Sequence, residues 1–401
     1  MDIYKLCLVF IVIIIILSLK KPLYLAIIGG LVTSIIAYKI PILESINIMF
    51  KATISPSTIN VVLSFYFITF LQRMLEKRHR LKEAQESLNG IFNNRRINAS
   101  LAPAVIGLLP SAGALPICGK MVDDACEGYI SKEDKTFITS FFRHIPESFL
   151  PTYSSILIAI TLSGVNTGDF VLAMIPMVIV LFILGYIFYL RKIPKETNVK
   201  PSENKKSEII KLVKSIWSIG LIVFIILIFD IPVYIATPIV VLINYCIDKF
   251  KIKEVSPMFK SAFEIVIISN TVLVMVFKDI ITYTGVINQL PDFFGQLPIP
   301  ISLVFALIFF FGTIVSGGNA IISLCMPMAM VSVPDAGVPL VVLLMCFSYA
   351  AMQVSPTHVC LFIATEYFNT GILDLIKRTI PLILVFSTIV ILYTQFLKML
   401  F

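Results

Sequence analysis

The sequence predicts an all-α polytopic membrane protein made of two inverted-topology repeats, each with about five crossings plus one re-entrant hairpin and one broken helix. Three observations predict it. The 401 residues are 58% hydrophobic and only 14% charged, and apolar runs such as LCLVFIVIIIILSL (Leu6 to Leu19) recur along the chain, a balance outside that of soluble domains. The basic residues behind the net charge of +8 gather between those runs, where cytoplasmic loops hold them, so the charge points to membrane topology and not to nucleic acid. Finally, the order of apolar runs and of their interruptions recurs on either side of a basic midpoint, a pattern of transporters built from duplicated units.

Taken in order, the first crossing covers residues 3–19. Lys20, Lys21 and Pro22 follow it instead of a small-residue cleavage site, so it is a retained span and not a signal peptide. Crossings at 23–38 and 57–72 come next, then a basic loop through Arg96 that contains Arg73, Lys77, Arg78, Arg80, Lys82 and Arg95 and is expected in the cytoplasm. Residues 98–119 form an apolar segment cut by LLPSAGALP. It has the length of one tilted span and is taken as a hairpin that enters and leaves on one side. A segment over 136–165 carries RHIPESFLPTYSS in its interior, and a crossing at 170–190 closes the first repeat, residues 1–190. Residues 191–211 hold seven basic and three acidic residues with Pro194 and Pro201, and are expected to be a cytoplasmic linker.

The second repeat, residues 212–401, gives crossings at 212–229, 232–247 and 261–277 and a more polar segment through Phe294. Then come a segment over 300–332 cut by VSGGNA, one over 338–367 cut by MQVSPTH, and a crossing at 379–398. One offset of 205 residues carries Ser111 and Gly113 onto Ser316 and Gly318, Pro151 and Thr152 onto Pro356 and Thr357, and Arg73 onto Lys278. An odd number of crossings per half makes the repeats inverted. It places both termini outside a multi-pass protein of the cytoplasmic membrane, with Lys249, Lys251, Lys253, Lys377 and Arg378 inside.

The interruptions carry the functional expectation. Pro356 removes a backbone donor and disfavours helix at Ser355, and irregular backbone at membrane depth is tolerated only inside protein or against water. PSAG (Pro110 to Gly113) and SGGN (Ser316 to Asn319) suit hairpin tips, whereas PESFLPTYSS and QVSPTH suit breaks in crossing helices. The N-termini of half-helices favour anions, and unwound carbonyls hold a cation. Substrate contacts are therefore expected at Ser111, Gly113, Thr152, Ser316, Gly318, Asn319, Gln353 and Thr357. Coupling to Na+ or H+ is expected at Ser154, Ser155, Ser355, His358 and Glu147. The plainer alternatives are close helix packing for the glycines and a helix-end hydrogen bond for His358. Arg143, His144 and Glu147 share one helical turn: at membrane depth such charges mark a functional site, while Lys132 and Lys135 just upstream favour a place near the cytoplasmic surface.

Seven cysteines without a Cys-x-x-Cys pair are expected to be packing residues, with no metal site. There is no His-Glu-x-x-His, no phosphate loop and no dinucleotide fingerprint, so no catalytic residue and no cofactor is expected, and energy must come from a gradient. The function expected is a secondary permease of a small organic anion. The competing readings are an ion or solute channel lined by the same interruptions, and an intramembrane enzyme.

In length and in GLLPSAGALP (Gly107 to Pro116), SGGN and SPTH, the chain resembles domain-of-unknown-function family 401 of integral membrane proteins. That family looks related to the ion transporter superfamily of gluconate, citrate, dicarboxylate and arsenite permeases. The resemblance implies secondary transport, re-entrant hairpins and a homodimer with a scaffold and a moving transport domain. Dicarboxylate carriers of that superfamily carry a Ser-Asn-Thr type motif at the tips. Here the tips read Ser111-Ala112-Gly113 and Ser316-Gly317-Gly318-Asn319, which leaves the anion and the coupling ion open.

Overall fold

The computed structural model describes the whole chain except residues 1, 20, 93, 109–113, 197–203, 334–335, 357 and 400–401 and the side chains of residues 18 and 89. The described residues are helical, without a strand. The first half holds α1 (Ile3–Ser18), α2 (Leu23–Ala37), α3 (Ile42–Ile54), α4 (Pro56–Lys77), α5 (Arg80–Ile91), α6 (Arg95–Gly107), α7 (Ala114–Cys126), α8 (Lys132–His144), α9 (Ser154–Ser163) and α10 (Thr167–Phe188). The second holds α11 (Lys205–Phe229), α12 (Val233–Ile247), α13 (Ile252–Ser261), α14 (Ile265–Tyr283), α15 (Leu290–Phe294), α16 (Ile301–Ser316), α17 (Gly318–Ser332), α18 (Val338–Met352), α19 (Val359–Phe368) and α20 (Ile372–Leu397).

Five of these, α4, α10, α11, α14 and α20, are long and apolar enough to cross a membrane. Helix α10 shows why the surroundings are lipid. It buries Phe170, Met174, Met177 and Leu181, yet its opposite face exposes Leu172, Ile175, Ile179 and Ile183. A helix apolar on both faces belongs in hydrocarbon, not water. Several charged residues are paired across helices. Arg73 pairs with Glu264 at 3.0 Å and Arg78 with Glu254 at 3.1 Å, while Arg80 bonds Asp248, so α4 and α5 are tied to the α12–α14 region.

The structure departs from the sequence expectation in three stretches. Residues 42–54, assigned to no element by hydropathy, form α3, because Glu44, Asn47 and Lys51 lower the mean while Ile42, Leu43, Ile46 and Phe50 stay on one exposed face. The basic loop after residue 72 is mostly helix. Helix α4 runs on to Lys77, and α5 follows, whose apolar stripe amounts to Ala84 and Leu88 packed toward Leu212 and Ile216 of α11. The linker over 191–211 is also shorter than expected. Asn204 accepts a hydrogen bond from the Ser207 amide and starts α11 at Lys205, and the first residues of the linker are docked. Arg96 Nε donates to the Ile193 carbonyl at 2.6 Å and the Arg95 amide to the Lys195 carbonyl at 3.1 Å.

Among the described residues, three of the four interruptions break helix. Helix α16 passes to α17 at Gly317, whose φ of 83° with ψ of 152° is open to glycine alone, and the two helices pack against each other. Helices α6 and α7 likewise pack together, but residues 109–113 between them lie outside the described residues. Helix α8 ends at His144 and passes through a short 3-10 turn, Ile145–Ser148, before α9, and α18 ends at Met352 before α19 starts at Val359. The halves interlock. Helix α9 packs on α17 and α19 on α7, and α2 packs on α14 as α12 does on α4. Both α9 and α19 are ten residues long, with bounds 205 residues apart at each end.

Candidate functional site

Three helices begin at one cavity, and the local sequence explains each start. Helix α9 starts at Ser154 because Pro146 and Pro151 keep the preceding residues out of regular helix, with the Tyr153 amide turned back to the Leu150 carbonyl at 3.0 Å. Helix α17 starts at Gly318 because Gly317 turns the chain through a conformation that a side chain would oppose. Helix α19 starts at Val359, with His358 in extended geometry just before it. None of the three has a side-chain cap. Their first-turn amides therefore lack an intrahelical carbonyl and carry the positive end of the helix dipole.

The cavity they share has a volume of about 330 Å³. Ser154 and Ser155 line it from α9, and Ser316, Gly318 and Asn319 from the turn between α16 and α17. Thr313, Ser348 and Tyr349 form another wall, with Glu147, Ser355 and His358 beside them. Asn319 Nδ2 donates to Ser154 Oγ at 3.1 Å, a bond between the two halves of the chain. Ser355 Oγ donates to the Ile314 carbonyl at 3.1 Å and fixes the broken segment to the last turn of α16. The Thr313 and Ser348 hydroxyls meet at 2.9 Å.

A second cavity of about 100 Å³ adjoins it, sharing Leu23, Ser154 and Asn319 and lying among α4, α9, α14 and α17. Asn270 Oδ1 and Ser323 Oγ, in residues that line it, are buried without a hydrogen-bond partner. An unpaired buried polar atom costs roughly 1–3 kcal/mol, so two beside one cavity are an arrangement that a polar solute or water would relieve.

Behind the main cavity lies a charged and aromatic cluster. Arg143 and His144 are buried inside the protein: their relative exposures are 3% and 0%. Arg143 forms an ion pair with Glu147 one turn on, and the Tyr153 hydroxyl donates to the Gly107 carbonyl. Helix α8 is covered by α6, α19 and α20, which accounts for the burial of Arg143 and His144. His144 Nε2 lies 3.1 Å from His358 Nε2. Cys360, which the sequence reading treats as packing, stands beside both rings.

Of the sequence-derived candidates, Ser154, Ser155, Ser316, Gly318, Asn319, Ser355, His358 and Glu147 are brought together around the cavity. Thr152 is not. The turn that directs Tyr153 at the cavity sends Thr152 to a separate pocket of about 20 Å³ among Ile68, Leu71, Ile219 and Ile222, its hydroxyl without a partner. Gln353 is buried beside the cavity and does not line it, and its Nε2 has no partner. Ser111, Gly113 and Thr357 lie outside the described residues. Sequence reasoning missed Thr313, Ser348 and Tyr349, which sit inside unbroken apolar helices. Their one signal is helical spacing, since Tyr349 and Ser348 lie on the last turn before the break.

The family profile described as "Protein of unknown function (DUF401)" matches residues 3–397. Comparison with curated proteins matches none of them.

Proposed function

The chain belongs to the DUF401 family, and from the site it carries we propose that it is a secondary transporter of a small organic anion, driven by a sodium or proton gradient. The observation that carries this reading is the convergence of the uncapped N-termini of α9 and α17, one from each half, on one polar cavity of about 330 Å³, joined by the Asn319 to Ser154 bond. Helix N-termini offer amides and positive potential to an anion, and broken helices at a repeat interface are the usual solute site of such carriers. The equal lengths of α9 and α19 and the crossed packing of the halves support the inverted-repeat reading. The kinship with the ion transporter superfamily, the placement in the cytoplasmic membrane with both termini outside, and a homodimeric working unit belong to the same proposal.

A thermal-shift screen of purified protein against organic anions, with sodium and pH varied, tests it. A ligand that binds only the folded state raises apparent stability, by about 2.7 kcal/mol at a hundred times its Kd. We expect a stabilising anion whose effect depends on sodium or pH and weakens in Asn319→Ala. Stabilisation by no anion, or equal stabilisation of wild type and Asn319→Ala, would overturn the reading.

A further inference from the structure

The cluster behind the cavity is built like a metal site. The donor atoms of His144, His358 and Cys360 all lie within 4.8 Å of one another, and they come from three different places: the end of α8, the segment before α19, and the first turn of α19. His144 is fully buried, and its Nδ1 lies against the Ser140 carbonyl, the partner one turn back on α8. A carbonyl accepts and cannot donate, so Nδ1 carries the proton and Nε2 presents its lone pair. That Nε2 points at His358 Nε2, 3.1 Å away. A backbone carbonyl holding the far nitrogen of an imidazole is how proteins fix the tautomer of a ligating histidine. Two imidazoles on one tetrahedral ion, with bonds of about 2.0–2.1 Å, bring their nitrogens to roughly 3.3 Å, close to the spacing found.

We propose that His144 Nε2, His358 Nε2 and Cys360 Sγ form a binding site for a transition-metal cation of the zinc class. Two imidazoles and a thiol select a borderline or soft ion over sodium, magnesium or calcium, which take oxygen donors. Binding converts the thiol to a thiolate and releases its proton to solvent, leaving a sulfur–metal bond. The thiolate offsets one of the two metal charges. Arg143, whose guanidinium stands nearby, is already paired with Glu147 and adds little net repulsion. His358 also lines the main cavity, which gives the ion an approach and an exchangeable water as fourth ligand. The site links α8 from the first half to α19 from the second, so an ion there holds the halves together whether or not the chain transports an anion.

Tag-free protein stripped with chelator and titrated with Co2+ tests the proposal, since cobalt reports thiolate ligation by a near-ultraviolet charge-transfer band. We expect one Co2+ per chain, a charge-transfer band displaced by Zn2+, loss of that band in Cys360→Ser, and at least tenfold weaker Co2+ binding in His358→Gln. Both variants are conservative, and size-exclusion profiles matching wild type establish that they fold. The proposal is overturned if folded wild type binds no Co2+, if the band survives in Cys360→Ser, or if His358→Gln binds as tightly as wild type. The last two results would place any bound ion elsewhere, and the first would leave the two rings sharing a hydrogen bond.

Discussion

Two glycines and three polar side chains carry the account at the residue scale. A Cβ on Gly107 would sit 2.1 Å from the Arg143 carbonyl oxygen, so α6 approaches α8 this closely only because no side chain intervenes. Backbone cannot yield as a side-chain tip does, and Gly107→Ala should cost about 1–3 kcal/mol of stability, read as a lower unfolding temperature. Gly220→Ala is the control. It meets nothing within 4 Å on an exposed face of α11 and should leave stability unchanged or raise it by about 0.5–1 kcal/mol. At Gly317 the space is open but the backbone is not, and Gly317→Ala should cost on the order of 1–3 kcal/mol through strain alone. Ser154→Ala and Asn319→Ala each remove a polar group from the cavity. A hydrogen bond to a charged ligand is worth roughly 1.5–3 kcal/mol, so each should weaken anion affinity about ten-fold to a hundred-fold. Thr152→Ala should leave that affinity unchanged, because its hydroxyl faces the separate pocket beside α4 and α11. Affinity from ligand titrations of the three variants checks this set, and an equal loss in Thr152→Ala would contradict a site confined to the main cavity.

At the scale of elements, the features that hydropathy can carry were legible and those that depend on tertiary contact were not. The breaks at SGGN and QVSPTH stood out because glycine, proline and polar residues interrupt apolar runs, and the structure breaks helix at both. Helices α3 and α5 were hidden because each is short and has a buried stripe of only a few residues. The pairing of His144, His358 and Cys360 was hidden for a different reason. More than two hundred positions separate His144 from His358, and one sequence shows no contact between them. Thr152 lies away from the main cavity: the 205-residue offset that matches it to Thr357 takes no account of how the turn at Pro151 is wound. The element most open to test is the connection between the halves. A reporter fused after Arg191 should read cytoplasmic and one fused near Gly168 external. An external reading at Arg191 contradicts the inverted arrangement.

For the whole molecule, the central claim is that the two halves meet in one cavity and move an organic anion through it. The halves pack helices against one another across their contact, α9 on α17 and α19 on α7. Such interlocking lets the start of α9 from the first half and the turn at Gly317 from the second border one site, with His144 and His358 meeting behind it. The most direct measurement is uptake of the stabilising anion into proteoliposomes under an imposed sodium or proton gradient, with wild type and Asn319→Ala compared at equal reconstitution. The account predicts saturable accumulation above the equilibrium level, abolished when the gradient is dissipated and shifted to higher KM in Asn319→Ala. Flux that merely equilibrates the anion whatever the gradient, or that is identical in the two proteins, would contradict it.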